Sequence, residues 1–419
     1  LYALSEFVRD FCKRHLVPIT QRPDFEEWLA STSYNEVRKE ELRRAHDANR
    51  GDCPPARVCK QVKTFIKLED YPEYKHARWI NSRCDRFKVF CGPYFKKIEE
   101  QVYDVKSDIK FIKHVPVPDR PQAIEALPKG LRYYGTDYTS FEKHFTKHVM
   151  NSIEFVLYDY MLPCMTPLEK KCLFSTLAGF NKLRSRSGFK ATVEARRMSG
   201  EMCTSLGNGF TNLILTSYIA HLRQGHVYGF VEGDDGLFAT DFELSPEDYS
   251  NLGFEIKIIP YEKIGDASFC GMIFSESGEI IRNPVEFLAK FSWTSSCMGA
   301  NEKVLRELLR AKALSCVYET PQCPIVGAAA RYALDMTRDS AARFVFDGYH
   351  EIPRDQIHVA EFDPKPSTRV QFEKLFHISV SDQIRIEQQL SSGNFDVAHL
   401  MPLSRDHLHY CTRYVANGE

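Results

Sequence analysis

The chain has 419 residues, 43% hydrophobic and 26% charged, with a formal net charge of −1. That is the composition of an ordinary soluble globular protein, with room for about two to four compact units or one multi-lobed body. No apolar run reaches the ~18 residues of a membrane span, no signal pattern opens the chain, and a core of this size needs no disulfide staples.

The first residue is Leu1 rather than Met, so the chain is expected to be a segment of a longer polypeptide. Its 13 cysteines are scattered with no CxxC pair, which points to free thiols in a reducing compartment. Cys53 with Cys59, and Cys84 with Cys91, match no common zinc spacing and read as buried thiols. The near-zero net charge hides segregation. Residues 57–97 carry eleven Lys/Arg against four Asp/Glu, and residues 182–197 carry six against one. Such a distribution can steer a polyanion, although basic runs are commonly just solvated surface.

In chain order, "NEVRKEELRRAHDANR" reads as helix, and "VKTFIKLE" alternates as a strand followed by loop. "LRYYGTD" reads as a strand ending at Asp137. The segment after it carries Phe141, Phe145, Val149, Ser152 and Val156 at helical spacing, with Thr139 or Ser140 as N-cap. His144 and His148 are four apart there, but with no third ligand they read as a helix face. The Lys/Arg run before Ser199 is either a solvated loop or a contact for template phosphate.

"SGEMCTSLGNGFTNLILTSYIAHL" begins as a loop and continues as a long helix whose Thr204, Asn208 and Asn212 recur every four residues. Its Thr, Asn and Gly content weakens the helix in exchange for close approach and hydrogen-bonding groups. "HVYGFVEGDDGLFAT" reads as a hairpin with runs at Val227–Val231 and Leu237–Ala239 and a turn across Gly233–Gly236. Further on, "KVLRELLRAKALSCVY" is an amphipathic helix. Val304, Leu308, Ala311 and Ser315 lie on one side, with Leu305, Leu309 and Lys312 alongside.

Adjacent carboxylates at a hairpin tip repel each other unless a cation lies between or beside them. If the strands carrying Asp137 and the Asp234–Asp235 pair share one sheet, three carboxylates converge. Such a set can hold two divalent cations about 3.5–4 Å apart, as in-line phosphoryl transfer requires. Mg²⁺ suits hard carboxylate oxygens.

"GTDYTSFE", "SGEMCTSLGN" and "EGDDG", in that order, resemble motifs A, B and C of viral RNA-dependent RNA polymerases. Asp137 matches the metal-binding aspartate of motif A, and Asp234 and Asp235 match the Gly-Asp-Asp of motif C. Ser199, Gly200, Thr204 and Asn208 match the SGxxxTxxxN pattern of motif B. "TFIKLEDYPEYKHARWI" is similar to the basic motif F, with Lys67 and Arg78 on its triphosphate-holding positions. "LGFEIK" resembles motif D, with Lys257 on the position proposed to protonate pyrophosphate, and "FCGMIF" resembles motif E. The texture is that of positive-strand viruses of the tombusvirus-like or flavivirus-like assemblage. One departure is Glu142, where many members carry an aspartate that selects ribose together with the motif B asparagine; the glutamate keeps the carboxylate but adds a methylene to the path through Asn208 to a 2′-hydroxyl.

The resemblance implies an α+β right-hand polymerase with an antiparallel palm sheet flanked by helices and a helical thumb. The fingers are expected over 1–130 and 160–198, the palm over 131–159 and 199–285, and the thumb over 286–419. It implies RNA-directed RNA synthesis from NTPs, with Asp137, Asp234 and Asp235 as ligands of two Mg²⁺ or Mn²⁺ ions. Lys67 and Arg78 would hold the triphosphate, Glu142, Ser199, Thr204 and Asn208 would position template and ribose, and Lys257 would act as general acid. The expected partners are template and nascent RNA, NTPs and other viral replication proteins. The expected location is the host cytoplasm, in membrane-associated replication complexes reached through partners or missing segments. Two rivals are a reverse transcriptase, which usually carries a bulky aromatic where Glu142 stands, and a catalytically dead RNA-binding scaffold, against which the intact carboxylates argue.

Overall fold

The structure, a computed structural model, describes residues 2–67, 76, 78–291, 294, 297, 299–344 and 357–393. The described residues hold twelve strands: β1 (Gln61–Ile66), β2 (Trp79–Arg83), β3 (Ile109–Phe111), β4 (Arg132–Tyr138), β5 (Phe180–Arg184), β6 (Lys190–Glu194), β7 (Val227–Glu232), β8 (Asp235–Thr240), β9 (Ile256–Tyr261), β10 (Ser268–Phe269), β11 (Met272–Phe274) and β12 (Ile280–Ile281). The chain divides into two compact units: residues 1–67, 77–114 and 127–262 form the first, and 68–76, 115–126 and 263–419 the second.

The first unit is built on a five-stranded sheet of order β3-β7-β8-β4-β9. Three of its ladders are antiparallel, but β3 joins β7 in parallel, so the expected antiparallel sheet is mixed. β3 is a three-residue edge strand far upstream of β7, and no hairpin links the two to impose an antiparallel pairing. The helix Thr204–Leu222 packs on β7 and β3. Phe210 of that helix, Phe95, Tyr158, Phe238 and Tyr249 are among the fully buried side chains of this core. A second sheet, of order β2-β1-β5-β6, carries much of the basic sequence.

Local readings shift in three places. The basic segment read as strand and loop continues as an 18-residue helix, Asp85–Val102, with Pro93 inside it. Phe87, Phe90, Tyr94 and Phe95 are buried there, and each such ring stabilises by about 1.5–3 kcal/mol, which outweighs the ~3 kcal/mol cost of an internal proline. The single helix expected after Asp137 is instead a 3-10 turn, Phe141–His144, followed by helices Lys147–Ser152 and Glu154–Met161. The cap is Thr146, whose hydroxyl accepts from the Val149 amide at 3.3 Å, while Ser140, one of the expected caps, sits at φ +52. His144 and His148 therefore lie on different elements, and His144 Nε2 accepts from the Glu255 amide at 3.3 Å.

The second unit holds the small sheet β10-β11-β12 and the helices Pro284–Phe291, Glu302–Glu319, Val326–Met336, Pro366–Phe376 and Val380–Ser391. On Glu302–Glu319 the buried residues are Glu307, Leu308, Ala311, Ala313, Cys316 and Val317. The face is thus rotated from the expected one. Leu305 is exposed, and the buried Glu307 carboxylate is taken up by Arg343 Nε at 2.9 Å. Among the described residues all cysteines are free, and no helix is long and apolar enough to cross a membrane.

Candidate active site

The β7–β8 hairpin turns in two residues, Gly233 and Asp234, because Glu232 pairs with Asp235. The turn is tighter than the expected Gly233–Gly236. Gly233 takes φ +59, the left-handed conformation that two-residue hairpins with a glycine at the first central position require. Asp234 therefore sits at the tip and Asp235 opens β8.

β4 lies between β8 and β9. Its register with β8 ends at Thr136–Gly236, so Asp137 and Asp235 are the next residues on two neighbouring strands at one end of the sheet. Asp137 is exposed between the buried Thr136 and Tyr138. On its other side it pairs with Lys257 of β9. Directly opposed residues of an antiparallel pair project to the same face, so Asp137 and Lys257 share one.

Asp234 is half-buried, and its carboxyl is raised above the ordinary 3.8. Burial is the main cause, with the negative charges of Glu142 and Asp137 adding to it and Arg78 opposing. Asp137, Asp234, Glu142 and Arg78 are thus electrostatic neighbours although they come from four separate stretches of sequence. Asn208, buried on the Thr204–Leu222 helix, donates from Nδ2 to Glu142 Oε1 at 3.5 Å. Its Oδ1 is buried with no hydrogen-bond partner.

Lys67 and Arg78 are adjacent, since the Lys67 amide donates to the Arg78 carbonyl at 2.8 Å and extends the β1–β2 pairing. Both side chains are exposed. The remainder of that basic motif, residues 68–75 and 77, lies outside the described residues.

Ser199 uses its hydroxyl to tie its loop to β2, and Thr204 uses its own within the loop. Ser199 Oγ accepts from the Asn81 amide and donates to the Trp79 carbonyl, both at 3.1 Å, which docks the loop on β2. Thr204 Oγ1 donates to the Met198 carbonyl at 2.7 Å and accepts from the Glu201 amide at 3.2 Å. Two buried ion pairs flank this loop. Arg83 binds Glu201 and also donates to the Cys59 carbonyl at 3.0 Å; Arg197 binds Glu154 and lies 4.5 Å over the Phe145 ring. Arg197, the last of the basic run 182–197, is therefore core rather than a phosphate contact.

Asn212, which the sequence places on the polar face of the helix without a role, joins the site. It is fully buried on the same helix, and its Nδ2 reaches the carbonyls of Gly233, Asp234 and Asp235 at 3.3, 3.2 and 3.1 Å. The four-residue spacing of Thr204, Asn208 and Asn212 was the available signal.

The donors at this end of the sheet are hard carboxylate oxygens that repel one another, the chemistry that suits a divalent cation. No three His, Cys, Asp or Glu side chains among the described residues stand at metal-ligand spacing, so these donors form no closed cage.

No family model matches the chain. It is 26% identical over 396 residues to a protein of Striped jack nervous necrosis virus, a match that covers 86% of this chain and 37% of the relative. Turnip crinkle virus supplies another relative, 27% identical over 312 residues, covering 68% of this chain and 38% of the relative. Both are named RNA-directed RNA polymerase. The chain is similar to viral RNA polymerases. A third relative of the same name, from Greasy grouper nervous necrosis virus, is 26% identical over 382 residues, covering 84% of this chain and 35% of the relative. The chain spans little more than a third of the length of these curated relatives.

Proposed function

We propose that this chain carries the catalytic core of a viral RNA-directed RNA polymerase, which extends RNA on an RNA template from NTPs. The observation that carries the reading is the convergence of Asp137, Asp234, Glu142 and Arg78 at one end of the mixed sheet, on the residues where the sequence resembles polymerase motifs. The names of the relatives support the same reaction.

In this reading Asp137 and Asp234, assisted by Asp235, hold two Mg²⁺ or Mn²⁺ ions. When bound, these ions supply Lewis acidity at the attacking 3′-hydroxyl and at the leaving pyrophosphate. Arg78 and Lys67 bind the triphosphate, arginine through paired hydrogen bonds and lysine as a point charge. The unused Asn208 Oδ1 accepts the ribose 2′-hydroxyl, while Glu142 holds the Asn208 amide in orientation. Lys257 donates the proton that the leaving pyrophosphate takes up. Ser199 and Thr204 act by fixing the loop against β2, which presents Asn208.

Residues 1–130 and 160–198 would supply the fingers, 131–159 and 199–285 the palm, and 286–419 the thumb. The partners would be template and nascent RNA with other viral replication proteins, at host cytoplasmic membranes reached through those partners or through segments outside this chain.

Incorporation of labelled NTPs or dNTPs on a short RNA template tests the reading. Template-dependent RNA product with little DNA product supports it. DNA product from dNTPs would favour a reverse transcriptase, and RNA binding without any product, with or without a primer, would favour a scaffold.

A further inference from the structure

The three carbonyls at the tip of the β7–β8 hairpin point at one side-chain amide. Asn212 Nδ2 stands 3.1–3.3 Å from the oxygens of Gly233, Asp234 and Asp235, and on its other side Asn212 Oδ1 accepts from Tyr138 Oη at 3.2 Å. An amide nitrogen only donates and an amide oxygen only accepts. Three carbonyls on one side and a hydroxyl donor on the other therefore fix the orientation of the group. Tyr138 is buried, and its hydroxyl is the donor in this contact because an amide oxygen can only accept. Both residues sit beside the carboxylates: Tyr138 follows Asp137 in β4, and the carbonyls belong to the backbone of Asp234 and Asp235 themselves.

A carbonyl direction sets its peptide plane, and successive peptide planes set the Cα–Cβ vector between them. Holding the carbonyls of residues 233, 234 and 235 toward the helix thus fixes the directions in which the Asp234 and Asp235 side chains leave the backbone. The hairpin tip needs such a restraint. The Asp234 carboxylate is repelled by Glu142 and Asp137, and the tip lies at the end of a ribbon whose ladder closes at the Glu232–Asp235 pair. The chain also gives up stability to supply the restraint, since asparagine is a poor helix former and is here buried in mid-helix.

We propose that Asn212, oriented by Tyr138, is a positioning residue that clamps the β7–β8 hairpin tip so that Asp234 and Asp235 are held ready for divalent cations. For its effect on RNA synthesis the inference rests on the polymerase reading; for cation affinity and local order it does not.

The test uses the full chain as Asn212→Leu, which keeps the branching and heavy-atom number but removes the amide, and Tyr138→Phe, which removes only the hydroxyl. Mn²⁺ alone is titrated by electron paramagnetic resonance, amide exchange is followed over residues 229–240, and thermal melting checks folding. Mn²⁺ affinity is expected to fall about 10–100-fold in Asn212→Leu, as for other groups that orient ligands, and by less in Tyr138→Phe. Exchange should rise at the tip while the rest of the sheet stays protected. Unchanged Mn²⁺ affinity in both folded variants, or no wild-type Mn²⁺ binding, would overturn the clamp. Wild-type protein that binds Mn²⁺ with clamp-dependent affinity but makes no RNA would overturn the polymerase reading alone.

Discussion

Asp137 of β4 and Lys257 of β9 are direct partners across an antiparallel ladder, so a carboxylate and an ammonium leave the sheet on the same face, one strand apart. The pairing is made by the backbone, and both side chains are exposed. Replacing Lys257 should therefore leave the sheet intact and act on chemistry. In Lys257→Met the turnover number for NTP addition is expected to fall about 10²–10⁴-fold, the range for loss of a general acid. The NTP KM should change little, and Lys257→Arg should recover part of the rate. Rapid-quench measurements across pH would show it; an unchanged rate and pH profile in Lys257→Met would remove the residue from the mechanism.

Asp234 makes stability depend on pH in an unusual direction. Its carboxyl is raised above 3.8 in the folded protein by burial and by Glu142 and Asp137. Between 3.8 and the raised value, the folded state holds a proton that the unfolded chain has released. Metal-free protein consequently loses stability as pH rises through that window, and the loss persists above it. Asp234→Asn is expected to melt higher than wild type at neutral pH without metal, with the gap closing as pH falls below 3.8. Melting curves in chelator settle the matter, and a gap that does not depend on pH would contradict it.

The contact between Asn208 and Glu142 bears on the sugar. Asn208→Ala removes the unused buried acceptor and leaves Glu142 without its 3.5 Å donor. A hydrogen bond of this kind contributes about 0.5–1.5 kcal/mol, so discrimination against dNTPs should weaken by about 2- to 13-fold. Competition between NTP and dNTP during primer extension reads it directly, and unaltered selectivity would place sugar choice elsewhere.

Gly207 shows why the Thr204–Leu222 helix tolerates weak formers. A Cβ there would lie 2.7 Å from Glu154 Oε1 and closer still to the Arg197 guanidinium, inside a fully buried ion pair. On an open helix face alanine would gain about 1 kcal/mol over glycine. Here Gly207→Ala is expected to destabilise by about 1–3 kcal/mol, the usual cost of overpacking. Urea unfolding distinguishes the two signs.

Much of the site was legible because it rests on short-range patterns. Strand β4 ending near Asp137, the glycine-flanked aspartates of the hairpin and the long helix beginning at Thr204 all follow from local periodicity and turn chemistry. Features set by tertiary packing were not legible. Gly92 and Pro93 both disfavour helix, yet the helix runs through them because the rings around them are buried. Phe141, Phe145 and Val149 keep helical spacing across a break because all three point into one core, so periodicity could not reveal that Thr146, rather than Ser140, starts the helix. Ser199 and Thr204 are expected to position template and ribose; that their hydroxyls bond β2 and Met198 could be seen only with β2 in place. Asn212 shares its spacing with Asn208, and only the folded hairpin distinguishes clamp from site.

The most direct measurement is template-directed NTP incorporation with Mg²⁺ or Mn²⁺ by wild type, Asp137→Asn and Asp234→Asn, with RNA affinity measured on the same preparations. The expected result is product from wild type alone, with all three proteins binding RNA similarly. Equal incorporation by wild type and Asp234→Asn would contradict the assignment, because catalysis would then lie away from this hairpin.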